Sequence, residues 1–191
     1  MRSMRLRHRK PACKDNSMRV DHRKIERASM ITIRPATPAD IPLMHSLVRA
    51  LAEYEREPHS VQITEDQLLR DGFGPRPYYE CLIAEHDGKP AGFALYFPIY
   101  STWQGPSLHL EDLFVLPEFR GSGIGKTLLN QVAAAAVRRG CVRLQWDVLD
   151  WNRSAIDFYH SIGAIMLPDW RRMRMTGEAL QALAASSEVP A

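Results

Sequence analysis

The chain has 191 residues, of which 45% are hydrophobic and 25% charged. This composition predicts one soluble domain with a substantial core, and it argues against a membrane protein because no apolar stretch approaches the roughly 20 residues that cross a bilayer. Three cysteines, Cys13, Cys81 and Cys141, are too few and too scattered for a disulfide framework or a paired-cysteine zinc site. We therefore expect no metal and a reducing, cytoplasmic location.

The charge is unevenly distributed along the chain. Residues 1–29 hold ten Lys and Arg against three acidic residues, whereas the remaining residues hold 15 Lys and Arg against 19 acidic residues. We interpret residues 1–29 as a basic, disordered extension, with an organelle transit peptide as the alternative, and residues 186–191 as a flexible end. The acidic domain, residues 30–185, favours a cationic substrate over a nucleic acid, although the basic extension alone could touch anionic polymers.

The first half of the domain predicts a strand followed by two helices. "MITIRPAT" alternates apolar and polar residues as a half-buried strand does. Thr37, followed by a proline, is a helix start, and the apolar spacing continues the helix to about Glu53. Thr64 and Gln67 form a capping-box pattern that opens a short second helix.

The middle of the domain predicts three antiparallel strands. Asp87 and Gly88 form a hairpin signal between the two apolar runs of "YYECLIAEHDGKPAGFALYFPIYS". "SLHLEDLFVLP" supplies the next strand, so the three runs predict a meander.

The last part of the domain alternates helices and strands. Residues 123–139 predict a helix that stops at a glycine, and "VRLQWDVLD" predicts a strand. Asn152 caps an amphipathic helix that ends at Gly163, and "WRRMRMT" predicts a final strand. The whole order, β-α-α-β-β-β-α-β-α-β, is that of a mixed sheet flanked by helices, α/β or α+β in class.

The glycine-rich stretch "FRGSGIGKTLL" (residues 119–129) predicts a phosphate site but not a nucleoside triphosphate site. The triphosphate loop motif needs glycine where Arg120 stands, and the glycine spacing also fails the dinucleotide pattern. A helix start still offers free N–H groups and a positive dipole end, and glycine permits positive φ. The alternative is a strand-to-helix turn that binds nothing.

Residues 120–125 resemble the acetyl-CoA pyrophosphate loop of the GNAT superfamily of N-acetyltransferases, Arg/Gln-x-x-Gly-x-Gly/Ala. Residues 152–164, "NRSAIDFYHSIGA", are similar to the second half of that signature. A narrower resemblance, over roughly residues 31–180, is to the diamine (spermidine/spermine) and thialysine acetyltransferase branch. It is carried by "IRPAT", "LAEYE", "LLRDGFG", "YYECLIAE", "LHLEDLFV" and "WNRSAIDFYHSIGA".

The resemblance implies a GNAT fold, with a mostly antiparallel sheet of about six to seven strands splayed between the fourth and fifth strands. It implies transfer of an acetyl group from acetyl-CoA directly to a primary amine of a small cationic substrate, and a homodimer. Two alternatives stay open: a protein or peptide N-acetyltransferase of the same superfamily, and an acetyl-CoA-binding sensor without turnover. We expect neither a specific nucleic acid nor a membrane as a partner.

The resemblance also assigns two catalytic roles. Tyr159 resembles the general acid that protonates the departing thiolate, and its alternative is a core tyrosine beside Phe158. Glu111 resembles the base, acting through water, and its alternative is a carboxylate held by backbone donors or an arginine. A β-bulge near Glu111 would let the strand diverge from its neighbour and admit pantetheine.

The predicted cofactor residues combine backbone and side-chain contacts. The strand before the glycine-rich stretch offers its backbone to the acetyl and pantetheine groups, Lys126 is at most an auxiliary phosphate contact, and Asn152 also has a structural reason to exist as a helix cap. The full set is Leu113, Phe114, Val115, Arg120, Gly121, Ser122, Gly123, Ile124, Gly125, Lys126, Asn152 and Phe158.

The predicted substrate residues are mainly acidic and aromatic, and a solvated helix end explains the first two equally well. They are Tyr54, Glu55, Glu111, Asp112, Trp146, Asp147 and Val148, with Trp103 as a further aromatic candidate. Asp112 is expected to pair with a second ammonium, with a carboxylate held by backbone donors or an arginine as the alternative, and aromatic faces suit cations. At Trp146 and Asp147 the sequence departs from the animal diamine enzymes, which leaves the amine open. A lysine-like substrate would need a cation for its carboxylate, and Arg56 or Arg76 is a candidate.

Overall fold

A computed structural model describes residues 29–186, so the predictions for residues 1–28 and 187–191 lie outside the described part. It contains five strands, five α-helices and two short 3₁₀ turns. In chain order these are β1 (Ile31–Pro35), a 3₁₀ turn (Pro38–Asp40), α1 (Ile41–Tyr54), α2 (Glu65–Phe73), β2 (Glu80–His86), β3 (Lys89–Ser101), β4 (Gly105–Val115), a 3₁₀ turn (Pro117–Phe119), α3 (Ile124–Arg138), β5 (Arg143–Gln145), α4 (Arg153–Ser161) and α5 (Gly177–Ala185).

The local signals in the sequence form the turns and helix starts that they predict. Thr64 accepts a hydrogen bond from the Gln67 N–H at 3.2 Å, and Gln67 reaches back to the Thr64 N–H at 2.9 Å. Asp87 and Gly88 both have positive φ, 52° and 76°, as a tight two-residue hairpin between β2 and β3 requires. The N-terminal half of the domain therefore folds as its sequence predicts.

The sheet follows the chain, in the order β1-β2-β3-β4-β5. The first four strands are antiparallel, whereas β5 runs parallel to β4 and pairs only residues 143–145 with residues 107–109. Beyond residue 109, β4 continues to Val115, and no strand within residues 29–186 pairs with it on that side. The sheet is therefore splayed between its fourth and fifth strands, which confirms the predicted fold.

Helices cover both faces of the sheet. On one face, α3 buries apolar side chains such as Leu128 and Val132 against β3 and β4. On the other face, α1 and α2 bury Met44, Leu47 and Leu68 against Ile83 and other residues of the sheet. β4 lies between the two cores, so its side chains decide what each face meets.

The C-terminal part of the described chain differs from the prediction. The strand expected over residues 170–176 does not form, and the sheet has five strands in the described range where six to seven were expected. β5 is only three residues long, so its outer edge offers little ladder for another strand to join. Residues 165–186 instead expose large apolar side chains, among them Ile165, Trp170 and Met173. No helix in residues 29–186 is both long enough and apolar enough to span a bilayer.

Candidate functional site

A β-bulge in β4 sets the geometry of the site. Leu95 of β3 pairs with Asp112, but the next residue, Tyr96, pairs with Leu110, so Glu111 is the extra residue. Leu110 and Leu113 both pack with α3, although strict alternation would place them on opposite faces. The bulge therefore turns Asp112 towards α1 and leaves Glu111 at the irregular point; a bulge near Glu111 is what the family resemblance implied.

Asp112 lies in a cleft of about 180 Å³ between β4, α1 and the segment that follows α1. Among residues 29–186, three carboxylates line this cleft, and neither arginine nor lysine does. We call it the acidic cleft. Its lining is Val48, Leu51, Ala52, Glu55, Glu57, Ser60, Val61 and Asp112. An apolar floor with carboxylates around it suits a short aliphatic chain that carries positive charge.

Asp112 is strained electrostatically in this position. Burial first, and then the charges of Glu111 and Glu55, raise the pKa of Asp112 to about 7. Its side chain makes no hydrogen bond or ion pair with any of the described residues. Burial also raises the pKa of Glu55 above its ordinary value. A cation entering the cleft would stabilise the ionised form of both carboxyls.

The glycine-rich stretch opens α3 in the conformation that a phosphate loop needs. Gly121 and Gly123 have φ of 77° and 88°, and a Cβ at either position would meet no atom within 4 Å. The space around the loop is thus open, and the first N–H groups of α3 have no partner inside the helix. This geometry fits an anionic group such as a pyrophosphate.

Two residues of this stretch, Gly125 and Ile124, are restricted in how they can contact a ligand. Gly125 does not adopt positive φ, because it already lies within α3, and a Cβ there would sit 3.7 Å from Val115 Cγ2. The Ile124 side chain is buried in the core at 1% exposure, so only its backbone can contact a ligand. Lys126 is exposed in the first turn of α3. The Ser122 hydroxyl donates to the Phe119 carbonyl at 2.5 Å.

Arg120 connects the glycine-rich stretch to the end of α1. Its Nε donates to the Val115 carbonyl at 3.0 Å, and its guanidinium lies 4.4 Å from the centre of the Tyr54 ring. The Tyr54 hydroxyl in turn donates to Asn152 Oδ1 at 3.3 Å. Asn152 Oδ1 also accepts from the Ala155 N–H at 3.3 Å, as the predicted helix cap. These contacts join the glycine-rich stretch, the end of α1 and the start of α4.

The unpaired edge of β4 faces the splay. Val115 accepts from Arg120 on that side, and because direction alternates along a strand, Leu113 points its backbone the same way. Phe114 points its backbone towards β3, and its side chain is buried between α1 and the sheet. Leu113 and Val115 are therefore the two residues of the predicted set that can pair with an extended ligand through their backbone.

Tyr159 lies in α4 against aromatic neighbours. Its ring is 4.9 Å from Trp146 and 5.3 Å from Phe158, centre to centre. Burial raises the pKa of the Tyr159 phenol to about 12, and its hydroxyl has no hydrogen-bond partner among residues 29–186. The phenol is therefore protonated at neutral pH, and its proton is not committed to another protein group.

The structure does not bring every predicted substrate residue to the acidic cleft. Trp146 instead packs on Tyr159 and lines a separate groove of about 320 Å³ beside α3. Asp147 is exposed and forms an ion pair with Arg172, and Val148 follows it half-buried in an irregular segment. Trp103 is 87% exposed in the turn between β3 and β4, at the opposite end of β4 from Asp112. β5 ends at Gln145, so Trp146, Asp147 and Val148 lie beyond its paired residues.

The sequence reasoning missed several residues at the site. Glu57 and Val61 line the acidic cleft from the loop after α1, where no periodic pattern marks them. Arg56, by contrast, was a candidate from the sequence; it has φ of 66° and places its guanidinium 4.7 Å from the Trp151 ring, which in turn contacts Tyr54. His109, two residues before Glu111, is also buried beside the site. The sequence could have marked His109 as a candidate, because this histidine interrupts an otherwise apolar strand.

A family profile and several known proteins match most of the chain. The profile of the "Acetyltransferase (GNAT) family" matches residues 44–164. A thialysine N-epsilon-acetyltransferase of Bos taurus is 42% identical over 167 residues, which cover 82% of this chain and 98% of that protein. A human spermidine/spermine N(1)-acetyltransferase-like protein 1 is 36% identical over 158 residues, 78% of this chain and 23% of that protein.

The fold has a counterpart among solved structures. An aminoglycoside N-acetyltransferase, AAC(6')-Iy, in complex with CoA superposes with a TM-score of 0.65 at 23% identity, covering 80% of this chain and 99% of that one. At this identity the likeness speaks for the fold alone.

Proposed function

The chain belongs to the acetyltransferase (GNAT) family and is an N-acetyltransferase, and we propose that it transfers the acetyl group of acetyl-CoA directly to a primary amine of a small, multiply charged cation. The observation that supports this substrate class is the acidic cleft, where three carboxylates surround an apolar floor and no basic residue is among the lining. The relatives named for thialysine and for spermidine/spermine are consistent with small amines of this kind.

Acetyl-CoA supplies the activated acetyl group. The fit of this chain to that cosubstrate rests on the open space at Gly121 and Gly123 and on the unpaired β4 edge. In this proposal the N–H groups of residues 121–126 and Arg120 hold the pyrophosphate, with Ser122 and Lys126 at the rim. Leu113 and Val115 pair through their backbone with pantetheine, while Asn152 and Phe158 border it from α4.

We assign the two catalytic residues by following the protons that the reaction must move. A free alkylammonium has a pKa near that of lysine, about 10.4, so the amine must lose a proton before its lone pair can attack a carbonyl carbon. In this proposal Glu111 accepts that proton through water, and its position at the bulge with 45% of its side chain exposed supports the role. When the C–N bond has formed and the C–S bond breaks, the Tyr159 hydroxyl gives its proton to the departing sulfur, and the Tyr159 phenolate then regains a proton from the nitrogen, which must lose one to become a neutral amide.

We propose that the acidic cleft binds the second positive charge of the substrate. Asp112 is the innermost carboxyl, and an ammonium beside it would replace the missing partner for its charge. Glu55 and Glu57 add negative charge to the lining of the cleft, and Tyr54 lies next to Glu55 as the last residue of α1. A lysine-like substrate would place its carboxylate towards Arg56, which lies outside the lining.

We further propose a homodimer and a reducing compartment. The exposed apolar side chains of residues 165–186 support a partner surface, since a lone chain would leave them in water. The free thiols of Cys81 and Cys141 support the compartment.

A panel of amines tests the proposal. Purified protein is incubated with acetyl-CoA and spermidine, putrescine, thialysine, lysine or a lysine-containing peptide, and free CoA thiol is measured. We expect turnover of the small amines and little of the peptide. Preference for the peptide would support the protein-acetylating alternative, and acetyl-CoA binding without any turnover would support the sensor.

The matched control for the cleft is Glu53→Gln, because Glu53 is exposed on α1 and does not line the cleft. Glu53→Gln should leave the KM of each amine unchanged. If Glu53→Gln raises the KM of an amine as much as Glu57→Gln, which changes a carboxylate of the lining, the acidic cleft is not the amine site.

A further inference from the structure

One buried histidine beside the site has no part in the proposal above. His109 lies in β4 with 7% of its surface exposed. Its ring is 5.1 Å from the Phe97 ring of β3, and its Nε2 lies 3.2 Å from Glu111 Oε2. A polar ring is buried at a cost unless its nitrogens are used, so the contact with Glu111 accounts for its presence.

The β-bulge makes this contact important for Glu111. A bulged residue is released from the ladder, so the strand itself does not fix the direction of its side chain. The Glu111 side chain is 45% exposed to solvent, and it makes no hydrogen bond or ion pair with any described residue other than His109. Among residues 29–186, His109 is therefore the polar partner on which the orientation of the Glu111 carboxylate depends.

We propose that His109 is a positioning residue for Glu111: its Nε2–H donates to one carboxylate oxygen and leaves the other oxygen free to accept the proton of the amine. This inference rests on the proposed function, because it assumes that Glu111 is the base. It requires no contact between His109 and the substrate.

The surroundings of His109 favour the neutral imidazole. Burial lowers the pKa of His109 below its ordinary value, and the nearby charge of Arg172 lowers it further, while Glu111 opposes both. A neutral ring can donate from Nε2 only as the tautomer protonated there. This state keeps the negative charge of Glu111 intact, and a base that takes a proton from an ammonium needs that charge.

Three substitutions separate positioning from packing. His109→Gln keeps an amide donor near the place of Nε2, His109→Asn moves the donor near the place of Nδ1, and His109→Leu keeps only volume. We expect His109→Leu and His109→Asn to lower kcat about 10- to 100-fold with KM within about twofold, as a misplaced catalytic group does. His109→Gln should recover most of that loss.

The pH profile provides a readout that packing alone does not move. A hydrogen bond to a carboxylate favours its ionised form, so losing it should shift the acidic limb of kcat upwards by about half to one pH unit in His109→Leu. Equal activity of all three variants and the wild type would overturn the proposal. So would an equal loss in His109→Gln and His109→Leu.

A second measurement does not depend on turnover. Long-range ¹H–¹⁵N NMR of the imidazole follows the tautomer and titration of His109 in the wild type and in Glu111→Gln. We expect the Nε2–H tautomer at pH 7.5, and a lower His109 pKa in Glu111→Gln because a negative charge has been removed. The Nδ1–H tautomer, or an unchanged pKa, would overturn the pairing. If instead no amine is acetylated, the proposed function fails while the pairing is still decided.

Discussion

The buried carboxyl of Asp112 makes stability depend on pH in a direction that is unusual for an aspartate. Its pKa is about 7 in the folded protein and 3.8 for the free side chain. Between pH 3.8 and pH 7, therefore, the Asp112 carboxyl is protonated in the folded state and ionised in the unfolded state. Stability from this group is fully present below pH 3.8 and is lost as the pH rises through 7.

Asp112→Asn removes this dependence, because an amide stays neutral. The pKa difference is about three units, and one unit corresponds to about 1.36 kcal/mol, so the wild type loses up to about 4 kcal/mol between pH 4 and pH 8. We expect Asp112→Asn to match the wild type near pH 4. At pH 8 it should be more stable by a few kcal/mol.

Urea unfolding at pH 4, 5, 6, 7 and 8 measures the difference. Asp157→Asn, an exposed aspartate on α4, controls for the exchange of the two residue types. A stability difference between Asp112→Asn and the wild type that does not change with pH would refute the reasoning. Asp112 would then be solvated or paired, and the acidic cleft would not be the site of unbalanced charge that we describe.

The remaining predictions concern the two ligand sites and the chain terminus. Tyr159→Phe should lower kcat about 100-fold or more, as the loss of a general acid does, with acetyl-CoA affinity nearly unchanged in calorimetry. Wild-type turnover would contradict the assigned role. Gly123→Ala should weaken acetyl-CoA binding and destabilise the fold by about 1 kcal/mol because its φ is 88°, while Gly125→Ala is the matched control and should be tolerated. Equal effects of the two would rule out the conformational argument. Glu55→Gln should raise the KM of a diamine about two- to fivefold, as expected for an exposed ion pair, and a KM that stays put would remove Glu55 from the site. Deleting residues 1–28 should leave activity intact; loss of active protein would show that they contribute.

The local chemistry of the sequence accounts for most of the fold. Capping residues such as Thr64 and turn residues such as Asp87 act within a few positions, so their geometry follows from their identity. The final strand was predicted wrongly because "WRRMRMT" has the right alternation but lacks a partner edge. Pairing depends on distant residues that a local pattern does not report.

The candidate site was less predictable than the fold. Glu111 and Asp112 could be found because paired carboxylates interrupt an apolar strand, and a bulge at this place in the strand was expected by resemblance. Glu57 and the pairing of His109 with Glu111 depend on a loop and on a buried ring, which carry no periodic signal. Trp146 was assigned to the amine by its aromatic character, but packing against Tyr159 decides its place.

The most direct measurement compares two amines that differ in one charge. Putrescine and butylamine have the same four-carbon chain, but only putrescine can place a second ammonium near Asp112. With acetyl-CoA as donor, we predict acetylation of both, with kcat/KM for putrescine at least tenfold higher in the wild type. Most of that ratio should disappear in Asp112→Asn. Equal kcat/KM for the two amines in the wild type would contradict the claim that the acidic cleft selects a multiply charged amine.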